Sequence, residues 1–363
     1  MENKVNVIRS SRARSVWFLA AGTVAAAALV SLAGLAQQPA PAVPSLQSLQ
    51  PEFDKLVSPN TPFEKLAIEF KPGHEMQVSF GKFDHFTEGP VWNPRGFLMF
   101  SDIYGDVIYQ YSKEGHADLF RTGAGYPNGL TFDGKGRLII CNQKARTIER
   151  LEPNGQITVL ASEWKGKKLN CPNDVIVRKD GTIYFTDPYW DFPPGTKQDL
   201  DFQAVFSISP DGKLAIAAND FGLPNGIAFS PDEKLLYIGD TKRKKLYAFD
   251  VAADGSLAGR TEFADLASDE KGAVDGMKVD ERGDIFTTGP GGVWVFDKQG
   301  KHLGTIRAPF IPANCAWGGD DYHTLFLMTP KDVYSVHTNV RGYVTYNTST
   351  KDAAHYPALH KGE

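Results

Sequence analysis

Six short segments of one pattern recur along the chain at intervals of 40, 45, 52, 50 and 39 residues, and no other feature restricts the fold as strongly. They read Glu88-Gly-Pro-Val-Trp, Asn128-Gly-Leu-Thr-Phe, Asn173-Asp-Val-Ile-Val, Asn225-Gly-Ile-Ala-Phe, Asp275-Gly-Met-Lys-Val and Asn314-Cys-Ala-Trp-Gly. In each, a polar anchor opens a short apolar run. A turn rich in Gly, Asp or Pro follows, such as Pro94-Arg95-Gly96 or Lys179-Asp180-Gly181, and then second and third apolar runs.

A unit of roughly 40 to 50 residues with three or four short strands is the signature of a β-propeller blade. Six copies predict an all-β, six-bladed β-propeller around a central channel. No repeat carries a 3.6-residue apolar stripe, which excludes a helical solenoid. The sixth repeat lacks an evident fourth strand. Glu75 to Lys82 alternates like a strand without a partner, so it is expected to close the ring by joining the last blade. The propeller is therefore placed at residues 75–337, a leader and linker at 37–74, and a peripheral tail at 338–363. The insertion Pro188 to Asp201 should form a loop over one face of the disc.

Residues 1–36 differ in kind from the rest. Lys4, Arg9, Arg12 and Arg14 precede the uncharged run Val16 to Ala36, the layout of a secretory signal, with an uncleaved membrane anchor as the alternative. Export to the periplasm or the medium follows. Removing this segment leaves 35 basic against 42 acidic residues, so nucleic acid is not expected as a partner. The stretch from Gln37 to about Pro51, rich in Pro, Ala, Gln and Ser, reads as flexible. Cys141, Cys171 and Cys315 allow one disulfide at most.

In a propeller the first strand of every blade lines the channel, so the six anchors lie on a ring about one axis. Glu88, Asn128, Asn173, Asn225, Asp275 and Asn314 are all oxygen donors, two of them carboxylates. Such a set suits a hard divalent cation, Ca²⁺ first, and two carboxylates balance its charge. No histidine falls on an anchor, which disfavours zinc. There is no G-x-S-x-G elbow, and the glycines near Gly123 miss dinucleotide spacing. Asn128, Asn142, Tyr189 and Trp190 are candidates for the wall of a substrate pocket.

With these residues in hand, the chain from about Phe83 to Val336 resembles the gluconolactonase, regucalcin and senescence-marker-protein family. The matches are Thr87-Glu88-Gly89-Pro90-Val91-Trp92, Tyr126-Pro127-Asn128-Gly129-Leu130, Pro172-Asn173-Asp174-Val175, Tyr184-Phe185-Thr186-Asp187-Pro188, Pro224-Asn225-Gly226 and Asp275-Gly276-Met277. The resemblance implies a six-bladed propeller with one catalytic divalent ion held by Glu88, Asn173, Asn225 and Asp275, and hydrolysis of sugar lactones. Asp275 is the expected catalytic residue, drawing a proton from water. The sequence departs from the family pattern at Cys171, where regucalcins carry an Arg, and at Cys141-Asn142-Gln143. Two alternatives share the same site: hydrolysis of a carboxylic ester or phosphotriester, and a non-catalytic propeller with a structural ion.

Overall fold

A computed structural model describes residues 43–78 and 81–346, and the signal reading of residues 1–36 lies outside them. Six antiparallel sheets form the blades of a propeller, each running from an inner strand outwards. The inner strands are Thr87–Asn93, Pro127–Phe132, Val175–Val177, Pro224–Phe229, Met277–Val279 and Asn314–Gly318. All six expected anchor segments thus begin a blade.

The core lies between neighbouring blades. Val91, Met99 and Ile108 of the first meet Leu130, Phe132 and Leu138 of the second. At the seam of the last and first blades, Trp92 stacks on Phe326 with ring centroids 5.7 Å apart. Strands buried on both faces explain why the inner runs read as continuously apolar rather than alternating.

Ring closure differs from the expectation. Met76–Val78 pairs with Gly81–Phe83 in a separate hairpin, and the outer strand of the last blade is Phe63–Lys65, paired with Val333–His337. A three-residue edge strand has no period to read in sequence, and backbone pairing alone places it. The leader is also more ordered than its composition suggests. Ser45–Ser48 adds a fifth strand to blade five beside His302–Arg307. Helix Pro51–Leu56 follows, with Pro at its start, Glu52 and Asp54 in its first turn and Lys55 in its last. It buries Phe53 and Leu56 in the core that joins the last blades to the first.

The start of the C-terminal segment is not peripheral either. The Tyr346 hydroxyl donates to the Trp92 carbonyl at 2.8 Å, its ring meets Phe132 edge-on, and a Cβ at Gly342 would collide with the Trp317 ring. This segment covers the channel end far from the anchors, where two tryptophans would otherwise face water. Residues 347–363 lie outside the described residues.

Candidate active site at the channel mouth

The anchors interlock around the ring through the backbone next to them. Ser101 Oγ, opposite Glu88, donates to the Asn128 carbonyl at 2.8 Å, and Gly129 N donates to the Asn173 carbonyl at 2.7 Å. Ile227 N donates to Asp174 Oδ2 at 3.3 Å. The Asn225 side chain hydrogen-bonds the Asp275 carboxyl, and Asn314 Nδ2 donates to Glu88 Oε2 at 2.9 Å. The glycines after the anchors let neighbouring blades approach closely. A Cβ at Gly226 would strike the Asp275 carbonyl and one at Gly276 the Asn314 amide, so the blades meet this closely only at glycine.

Local irregularity aims the side chains. The inner strands of blades one and four break register between Glu88 and Val91 and between Pro224 and Ile227. Such bulges turn a side chain out of the ladder. A second device repeats at the ends of the second strands. Asp102 accepts from Phe86 N at 2.9 Å, Asp187 from Asn170 N and Cys171 N at 2.8 and 2.9 Å, and Asp240 from Leu223 N at 3.0 Å. Each carboxylate thereby clamps the chain two residues before an anchor. Burial pushes the Asp187 carboxyl up to about 7, while the two amides and Arg146 pull it down.

Glu88 is buried, and both of its hydrogen bonds, from Gly89 N and Asn314, fall on Oε2. Burial above all, with Asp174 adding repulsion, raises it to about 7, against the pull of Asn314, Gly89 and Lys278. Asp275 is held well above the carboxylate range by burial first and then by Glu88 and Asp174. The amide oxygens of Asn128 and Asn225 are buried without a hydrogen-bond partner. Unpartnered oxygens beside mutually repelling carboxylates fit a hard cation, which would satisfy both defects. Among the described residues no group of three or more His, Cys, Asp or Glu side chains is arranged to hold a metal, so amide oxygens would have to complete any such site.

The other expected site residues separate. Asn142 spends its side chain locally: Nδ2 donates to Glu149 Oε1 at 2.9 Å and Oδ1 accepts from Ala145 N at 2.9 Å. Nδ2 also reaches the Ala124 carbonyl at 3.4 Å, so both amide hydrogens are used within this turn. The Tyr189 hydroxyl donates to the Thr196 carbonyl at 2.8 Å and so braces its own loop. Trp190 keeps a buried indole N–H without an acceptor. The loop they belong to reaches the turns ahead of the second-blade anchor, where Phe192 packs on Tyr126 at 5.2 Å and Tyr104 at 5.8 Å. The three cysteines are free and buried, and burial pushes the Cys315 thiol up to about 12, the opposite of an activated nucleophile.

Sequence reasoning missed Asp174 and Lys278. Aligned repeats carry the signal: Asp174 stands where four anchors are followed by Gly, and Lys278 where the other repeats have Val91, Thr131, Ile176, Ala228 and Trp317.

Comparison with known proteins agrees with this architecture. The gluconolactonase of Zymomonas mobilis subsp. mobilis is 28% identical over 324 residues, which span 82% of this chain and 87% of that protein. A 6-deoxy-6-sulfogluconolactonase of Pseudomonas putida is 28% identical over 68% of this chain and 83% of its own. Among solved structures, a gluconolactonase of Xanthomonas campestris superposes with a TM-score of 0.71 at 29% identity, covering 83% of this chain and 99% of its own. The model of the SMP-30/Gluconolactonase/LRE-like region matches residues 86–331, and the chain accordingly belongs to that family.

Proposed function

We propose that the chain is a divalent-metal-dependent lactone hydrolase, exported by its N-terminal signal. Relatives named gluconolactonase and 6-deoxy-6-sulfogluconolactonase support the lactone as substrate class. The observation that carries the metal is the unpartnered buried oxygen Asn225 Oδ1 on the ring that holds Glu88 and Asp275.

Glu88, Asn173, Asn225 and Asp275 would hold the ion, with Ca²⁺ preferred by an all-oxygen donor set. Once bound, a divalent ion supplies Lewis-acid polarisation of the lactone carbonyl. Asp275, steadied by Asn225, accepts the proton of the attacking water. Asn128 offers its amide to the substrate oxygens, and the loop 188–201 walls the mouth and limits solvent. Asn314 is committed to Glu88 and Cys315 N, so it is a support rather than a ligand.

The test is a panel of aldonolactones, aryl esters and phosphotriesters assayed with and without a chelator. Lactone turnover that disappears on chelation and returns with Ca²⁺ is expected. Turnover of esters or phosphotriesters alone would move the substrate class, and full activity after chelation would remove the metal.

A further inference from the structure

Two residues ahead of the anchors stands a second set of equivalent positions. It reads Phe86, Tyr126, Cys171, Leu223, Ala273 and Pro312, with no charge and a single hydroxyl. Carboxylates fix the backbone of four of them: Asp102 accepts from Phe86 N, Asp106 from Tyr126 N at 2.7 Å, Asp187 from Cys171 N and Asp240 from Leu223 N. A wall tied down in this way has little freedom left to lose when a ligand arrives.

The loop 188–201 adds Phe192 to this wall. The Phe192 ring packs on Tyr126 at 5.2 Å and on Tyr104 at 5.8 Å, and Tyr104 packs on Phe86 at 5.4 Å. The Phe192 carbonyl accepts from Cys171 Sγ at 3.6 Å. One residue of the third blade thus reaches the approaches to Asn128 and Asn173 and, through Tyr104, to Glu88. Phe86, Tyr126 and Phe192 are only half-buried, so this aromatic surface is not sealed inside the fold. The polar side chains that flank it are already engaged: Tyr189 Oη donates to the Thr196 carbonyl, Asp191 Oδ1 accepts from Gly195 N at 2.8 Å, and Gln203 bridges Tyr189 N and the Gly222 carbonyl. Sugar hydroxyls pressed against such a surface lose water and gain no partner, whereas an alkyl chain is stabilised by every methylene it buries.

We propose that the aromatic wall of Tyr104, Tyr126 and Phe192 selects lactones that carry an uncharged alkyl chain, with Phe192 as the specificity-determining residue. This names the substrate within the lactone class and rests on the lactonase reading above. The chain lies against the wall while the lactone ring reaches the anchors below it, so the wall acts on the choice of substrate and not on the bond broken.

The experiment measures kcat/KM of the full-length protein, with Ca²⁺ present, for γ-nonanolactone, γ-butyrolactone and glucono-1,5-lactone. The first two share the reacting ring and differ only in a pentyl chain. The parent should favour γ-nonanolactone over γ-butyrolactone by at least about thirtyfold. Phe192→Ala should cut that preference about tenfold, and Phe192→Leu, which restores apolar surface, should hold it within about threefold of the parent. Tyr189→Phe removes the brace to Thr196 and leaves the Phe192 ring, so it should move both rates together and keep their ratio within about twofold. An absent preference in the parent, an unchanged one in Phe192→Ala, or an equal loss in Tyr189→Phe overturns the role of Phe192. Turnover of glucono-1,5-lactone alone overturns the alkyl substrate and leaves the lactonase reading standing. Turnover of none of the three overturns the lactonase reading and this substrate with it.

Discussion

Asn314 Nδ2 donates to Glu88 Oε2 at 2.9 Å across 226 residues of sequence, joining the inner strand of the last blade to that of the first. Beside it, Thr87 Oγ1 donates to the Thr329 carbonyl at 2.8 Å. Closure of the ring and orientation of the Glu88 carboxylate are thus one structural event. Asn314→Ala leaves Glu88 Oε2 with the Gly89 amide alone. A hydrogen bond to a charged group is worth about 1.5–3 kcal/mol, so Ca²⁺ affinity should fall at least about tenfold by calorimetry. Unchanged affinity would show that Glu88 does not need this support.

Gly276 tests the close approach of blades five and six. A Cβ there meets the Asn314 side chain, so Gly276→Ala should displace the amide from Glu88 and cost about 1–3 kcal/mol in denaturant unfolding. Lactone turnover should fall further than in a surface Gly→Ala control. Full activity would mean that Asn314 can retreat without consequence.

Phe53 is fully buried against the core of the ring's closing seam, and its ring fills the space beside Gly304. Phe53→Ala should destabilise by about 3–5 kcal/mol through the cavity it leaves. At 25 °C the folded variant should keep its KM, because Phe53 touches no anchor. A negligible change in unfolding free energy would mean that the N-terminal helix is dispensable for the propeller.

Asp280 predicts a pH dependence of stability. Its Oδ1 accepts from Arg282 N at 2.8 Å and Asp284 N at 2.9 Å, whereas Oδ2 is buried without a partner. Burial first, and Asp284 second, raise this carboxyl from the ordinary 3.8 to about 7. Between those values the folded chain holds a proton that the unfolded chain has lost, so stability drops as pH rises through the window and levels off above it. Asp280→Asn cannot ionise. Between pH 5 and pH 8 it should gain on the order of 1–3 kcal/mol relative to the parent. A difference that stays constant with pH would refute the assignment.

The repeat by itself determined the architecture. Six anchors at near-regular spacing leave few ways to bury their apolar runs, and radial stacking buries all of them. The placing of the six anchors on one ring was legible for the same reason, since equivalent positions in equivalent blades share it. The sequence could not show which side chains were already spent. Asn142 resembles Asn128 as a residue but is consumed by Glu149 and Ala145, and Asn314 is an anchor consumed by Glu88 and Cys315. Nor could it reveal the strand Phe63–Lys65, whose place depends on the free edge of Val333–His337, or the Asn314 side chain that links Lys278 to Glu88. Pairing of edges and meeting of side chains depend on distances between segments far apart in the chain, and only the closed ring sets those distances.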